Sequence, residues 1–365
     1  MIAALLVSVA VTSPVVQVSG VSPRFFVKAD GTVLANGSNN GLIVPGITAP
    51  SVTFTPIQFP GPVQQIEASP SMAFALMRDG TVMAWGNPGY SLFGNGRRRT
   101  EHPTKLEGLS GITQIGLGFM HAAALRSDGK VLAWGQHTYG VLGDGKDSDR
   151  EEGTPNEVGG VSDITAISVG GRTTLALRKD GTVWAWGINS VGQLGQGTKG
   201  NYSAQAVQVK GLTNVQQIAA DKDDNGANAA LTADGRIWVW GGNGSAMLGN
   251  GVRTGFATKP TLVKGIQNAK RVTVGHGFMV VVHANGTVSG WGFNGFGGLG
   301  VRSKGTYLQS PTRLTPTGVS YAFTVGYGTF LVKTNGALLW SGGPDGSTSG
   351  PMSKRSFEFK PINVP

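Results

Sequence analysis

The sequence predicts an all-β protein, a seven-bladed β-propeller of four-stranded antiparallel blades, and three observations carry that expectation. A turn signal recurs along the chain, at Asp30-Gly31, Asp79-Gly80, Asp128-Gly129, Asp180-Gly181, Asp234-Gly235, Asn285-Gly286 and Asn335-Gly336. Its spacings are 49, 49, 52, 54, 51 and 50 residues, and self-similarity at such a period marks solenoids, propellers or arrays. Each turn is flanked by apolar residues in strand alternation, as across residues 123–135, which reads as a β-hairpin. About four strand-like runs fill each copy and none has helical periodicity. Radial repetition of four-stranded sheets is the propeller solution to exposed strand edges.

Each element follows in the same order. The Asp-Gly pair predicts a type I′ turn, in which both central residues take positive φ. Five residues after the turn glycine stand Trp85, Trp134, Trp186, Trp240 and Trp291, whereas the first copy has Asn36 and the last reaches Trp340 one residue early. Terminal copies of a repeat are expected to be atypical. After Trp-Gly comes a polar, glycine-rich loop with a Leu-Gly-x-Gly piece, such as residues 142–145 or 194–197. A proline-led strand follows, as at 103–106, 155–158 and 260–263, and then a run such as 112–115 or 215–218.

The copies fall at roughly 14–60, 61–106, 107–158, 159–209, 210–263, 264–314 and 315–365, so residues 14–365 form one body. If each proline-led strand packs with the hairpin that follows it, residues 361–364 have none left. They are then expected to close the ring beside the first hairpin, near residues 25–37.

Residues 1–13 form a separate apolar segment with two readings. Its length and the small residues Ser8-Val9-Ala10 suit a signal-peptide remnant, although no positive region precedes it; the alternation Val7-Ser8-Val9-Ala10-Val11 suits a strand. The first reading places the protein outside the cytoplasm, secreted or periplasmic, and the second leaves it cytoplasmic. No segment reaches transmembrane length.

The chain has no cysteine, which excludes disulfides, thiolate metal sites and cysteine nucleophiles. Its net charge is +10, which favours acidic partners, nucleic acid among them.

The pattern Ala-Leu-x-x-Asp-Gly-x-Val-x-Ala-Trp-Gly, then Leu-Gly-x-Gly, then Pro-x-x-Val, resembles the regulator of chromosome condensation repeat family. The resemblance covers about residues 14–365 and is clearest in copies two to six. It implies a seven-bladed propeller. It also implies functions that range from nucleotide exchange on a small GTPase and chromatin engagement to interaction domains of ubiquitin ligases. Family copies often carry Gly-x-x-His before Ala-Leu; here Gly118-Phe-Met-His121 keeps the histidine, while Met72, Thr173, Ala227 and Phe278 replace it. That drift weakens transfer of the exchange function.

The candidate sites are few. Residues 140–146 nearly spell a phosphate loop, but Asp147 stands where a magnesium-binding hydroxyl belongs and no strand-to-helix context surrounds it. Asp221, Asp223 and Asn225 match the first half of a calcium loop, whose closing acid is missing because Thr232 holds that position. Arg97, Arg98 and Arg99 form the densest positive run and suit carboxylates or phosphates of a partner. His121 reads as a hydrogen-bonding residue near the axis, and the tryptophans read as packing between blades. No catalytic constellation appears, and no cofactor is expected.

The expected function is therefore non-enzymatic: recognition of a protein or other macromolecule through variable loops on one face, by a monomer. The alternative is a guanine nucleotide exchange factor for a small GTPase. The third reading, chromatin or nucleic-acid binding, rests on net charge.

Overall fold

Each hairpin closes as the Asp-Gly signal requires, but not by the type I′ turn expected. The computed structural model describes residues 13–21, 23–37, 51–94, 99–223, 226–303, 305–343 and 354–365. In every hairpin only the glycine takes positive φ, from Gly31 at 90° to Gly235 at 74°, and the preceding Asp or Asn does not. Gly31 N–H donates to Lys28 O and Lys28 N–H to Thr32 O, both at 2.9 Å. This is a three-residue loop whose last member is a left-handed glycine. The aspartate has a different task. Asp30 Oδ1 accepts from the backbone N–H and the hydroxyl of Thr32, at 2.8 and 2.7 Å. Those bonds hold the Asp30 carboxyl below its ordinary pKa, the backbone N–H contributing most.

Four strands form each blade, and all 28 are antiparallel to their neighbours within seven separate sheets. Each sheet is contiguous in sequence: 15–57, 63–105, 112–157, 164–208, 215–262, 269–314 and 319–362. They are numbered here as blades 1 to 7. The single helical element among the described residues is one turn of 3-10 helix, Thr138–Gly140. No helix there is long and apolar enough to cross a membrane. The apolar run at 1–13 lies outside the described residues, except for Ser13.

Residues 361–364 do lie beside the first hairpin, with Ile362 and Val364 packed against Phe26 and Leu34, but not as the strand pairing expected. The last strand, Ser356–Ile362, pairs with Leu338–Gly342 of its own blade and not with the first hairpin. Every proline-led strand does the same, since each packs on the hairpin before it. Side chains close the ring instead. Phe26 of blade 1 meets Phe330 of blade 7 edge-to-face at 5.7 Å, in one cluster with Val18, Trp340 and Ile362. The irregular end copies explain each other here. Ser341 occupies the register of the other tryptophans, and a one-residue slip puts Trp340 on the opposite sheet face. There it joins the blade 1 cluster, where Asn36 stands in place of a tryptophan. Buried Arg24 lies between them, its guanidinium 5.8 Å from the Trp340 ring and 5.7 Å from that of Phe330.

Candidate recognition surface

Alternating strand direction sorts the loops onto two faces. The Asp-Gly hairpins and the blade-to-blade links share one, the turn face. The loops from first to second strand and from third to fourth strand share the other, the loop face.

The first strand of every blade lines a central channel, a cavity of about 500 Å³. Such strands would present unpaired backbone groups to water, and a glutamine from the preceding blade covers several of them. Gln114 Nε2 donates to Ile167 O at 2.8 Å while Ile167 N–H donates to Gln114 Oε1 at 2.9 Å. Gln17 treats Ile66 in the same way, Gln65 treats Ile115 and Gln217 treats Val272. The amide side chain thus imitates one more strand residue. Sequence reasoning missed this belt, although the repeated glutamine before Val18, Ile66, Ile115 and Ile218 is its signal. At the other junctions Ala166, Arg271 and Tyr321 hold the glutamine register. Between blades 4 and 5 the Ser168 hydroxyl accepts from Ala220 N–H at 2.9 Å. Between blades 6 and 7 the Arg271 guanidinium lies 3.8 Å from the Tyr321 ring centroid.

The tryptophans are buried between blades. Trp134, Trp186, Trp240 and Trp291 each donate Nε1–H to a loop carbonyl of the previous blade, on Leu92, Val141, Gln193 and Met247 at 2.7–3.0 Å. In blade 7 the Ser341 hydroxyl takes over this bond, to Gly297 O at 2.7 Å. The phosphate-loop look-alike is likewise a packing element. Gly145 N–H donates to Ala204 O of the next blade at 2.8 Å, and Asp144 Oδ1 accepts from Lys146 N–H at 3.1 Å.

On the loop face, Lys222 reaches across the channel mouth. Its ammonium donates to Val169 O at 2.9 Å and Leu117 O at 3.3 Å, and stands 3.7 Å from a Glu67 carboxylate oxygen. One side chain of blade 5 thereby ties blades 2, 3 and 4 to its own. Nearby, His121 sits one strand out from the axis, fully buried, with Nε2 3.0 Å from the Thr174 hydroxyl. Burial, helped by the Lys222 charge, pushes its pKa down to about 3. His276 is also lowered, chiefly by burial and further by Lys222, while Asp223 at 4.0 Å opposes the shift.

Of the calcium candidates, Asn225 lies outside the described residues. Asp221 is buried and its carboxylate accepts from Asp223 N–H at 3.0 Å. No group of three metal-ligating side chains occurs among the described residues. Arg97 and Arg98 lie outside the described residues, and exposed Arg99 pairs with Glu101 at 2.9 Å.

A feature absent from the sequence reading dominates the loop face at blades 6 and 7. Five rings form a continuous seam from rim to channel mouth. Tyr307 meets Phe293 at 5.5 Å, Phe293 meets Phe296 at 5.8 Å, Phe296 meets Tyr327 at 4.7 Å, and Tyr327 meets His276 at 5.4 Å. Exposed Arg253 lies 4.4 Å from the Tyr307 ring centroid, and exposed Arg355 lies 4.9 Å from that of Phe296. Neither arginine has a carboxylate within ion-pair distance among the described residues. Further along the rim, Lys199 lies over Phe256 at 4.9 Å.

Comparison with known proteins adds the family. Models of the regulator of chromosome condensation (RCC1) repeat match residues 112–141, 164–193, 128–177 and 180–220. The human E3 ubiquitin-protein ligase HERC2 is 30% identical over 307 residues, covering 80% of this chain. The chain spans only 6% of that ligase's length. Among solved structures, human WBSCR16 superposes with a TM-score of 0.75 at 20% identity, covering 86% of each chain. Prp20p of Saccharomyces cerevisiae, described with its binding properties to Gsp1p and histones, gives 0.69 at 21%, covering 84% of this chain and 78% of its own. The repeat matches and the ring of seven four-stranded blades agree, and the chain belongs to the regulator of chromosome condensation repeat family.

Proposed function

We propose that this propeller is a non-catalytic recognition module whose loop face seats a protein partner. One contrast carries the reading. On the turn face the hairpin arginines are already engaged: Arg126 with Asp128 and Glu157, Arg178 with Asp163 and Asp180, Arg236 with Asp234, and Arg78 with the carbonyl of Ala29. On the loop face Arg253 and Arg355 are held over rings, with no ion pair to a carboxylate among the described residues. Arginines over half-buried aromatics are the residue types that concentrate binding energy at interfaces. The likeness to Prp20p, described by what it binds, is consistent with such a role.

The test is lysine crosslinking in the producing cells followed by mass spectrometry. Crosslinks to other proteins are expected at Lys146, Lys199 and Lys354 of the loop face. Predominance of Lys179, Lys210 and Lys264 on the turn face would refute the reading. A small GTPase among the partners brings forward the exchange alternative, which accelerated release of labelled GDP then decides. Nucleic acid as the captured partner, lost steeply as salt rises, would replace the protein reading with the third one.

A further inference from the structure

We infer that the aromatic seam of blades 6 and 7 binds an acidic peptide segment, with Arg253 and Arg355 gripping carboxylates on either side of an apolar anchor. The inference rests on the loop-face reading above and names the partner's chemistry. A guanidinium stacked on a ring is fixed in orientation, yet its N–H donors lie in its own plane and remain available. It therefore offers the two-pronged donor set that a carboxylate takes in parallel bonds. Arg253 and Arg355 each lie over a ring, 4.4 and 4.9 Å from its centroid, and the rings beneath them are linked through Phe293. The seam is thus one apolar strip with a preset carboxylate fork on its outer ring and another on an inner one. Tyr327, 41% exposed, is the most open ring of the strip, and an apolar side chain can pack against it.

The same geometry disfavours other occupants. A single-stranded nucleic acid needs open ring faces on which bases stack. Here the Tyr307 face is taken by Arg253, the Phe296 face is shared by Arg355 and Tyr327, and Phe293 is edge-packed by its neighbours, which leaves Tyr327 as one open ring and not the run of them that successive bases need. A second copy of this chain would bring another net charge of +10 against an already basic patch. An acidic chain complements both the charge and the fork geometry.

The experiment titrates the full chain with a short fluorescein-labelled peptide in which glutamates flank one phenylalanine. The lysine-for-glutamate peptide and an oligothymidylate serve as competing probes. The acidic peptide is expected to bind, and the others to bind at least about tenfold more weakly. Arg253→Ala and Arg355→Ala should each lose about tenfold or more, the usual scale for a charged hydrogen bond. Arg253→Lys and Arg355→Lys keep the charge without the fork and should recover only part of the loss. Both arginines are exposed, so unchanged melting of each variant confirms that folding is intact. Absence of peptide binding, preference for the oligothymidylate, or an equal loss on Arg236→Ala of the turn face would each overturn the inference. Loop-face crosslinks with no effect of either arginine variant would remove the seam and leave the face. Turn-face crosslinks would remove both.

Discussion

The junction between blades 3 and 4 and the junction between blades 6 and 7 use the same architecture for different ends. At the first, the residues that recur from copy to copy are spent on joining blades. Gln114 covers the edge at Ile167, Trp186 bonds to Val141 O at 3.0 Å, and His121 bonds to Thr174. At the second, Arg271 stands in the glutamine register, Ser341 replaces the tryptophan bond, and the surface above carries the ring seam with two guanidiniums that have no ion-pair partner among the described residues. Where a copy follows the repeat, its side chains close the ring. Where it departs, they are released for a surface.

The comparison can be broken most forcefully at the tryptophans. Trp186→Ala should cost about 3–5 kcal/mol, as large buried aromatics do. Ser341→Ala should cost only about 1 kcal/mol, the worth of one hydrogen bond. Urea unfolding of the two variants measures both, and equal losses would erase the distinction between the junctions.

Gln114→Ala comes next. It strands both Ile167 groups at the channel edge and should cost about 1–3 kcal/mol, read by the same unfolding midpoint. No loss would mean that water serves those groups as well as the amide does.

Acid probes the same junction, with an effect of similar size. His121 is neutral in the folded state down to about pH 3, whereas the unfolded chain protonates it near 6.5. Between those values the unfolded state binds the extra proton, so stability falls as pH drops below about 6.5. Melting curves from pH 7 to 4 should decline less steeply for His121→Leu than for the native chain. Identical slopes would contradict the assigned state. The smallest effect belongs to the seam: Arg253→Ala should shift folding free energy by no more than about 0.5 kcal/mol, because exposed positions outside packed features rarely matter more.

Much of this architecture was legible because repetition samples the same instruction seven times. The copy boundaries, the blade count and the burial of Trp134 or Trp240 follow from period and pattern alone. The turn type was not, because Asp-Gly is compatible with more than one hairpin loop, and only geometry shows the Asp30 carboxylate bound to Thr32. Ring closure was misread for a related reason: Pro361 lies in sequence before no hairpin, but every such strand pairs backward, as Ser356–Ile362 does. The surface was least legible. Arg253, Phe293, Tyr307, Tyr327 and Arg355 come from three copies and share no motif, and only the ring of blades brings them together. The run Arg97–Arg99 is legible in sequence because it is local, and its described member, Arg99, is paired with Glu101.

The most direct test of the central claim compares affinities for the partner captured by crosslinking, measured calorimetrically on two charge-reversed proteins. Arg253→Glu combined with Arg355→Glu should weaken the complex by about a hundredfold or more, while Arg236→Glu on the turn face leaves it within about twofold. An unaffected complex in the first protein, or a matching loss in the second, would contradict the assignment of recognition to the loop face at blades 6 and 7.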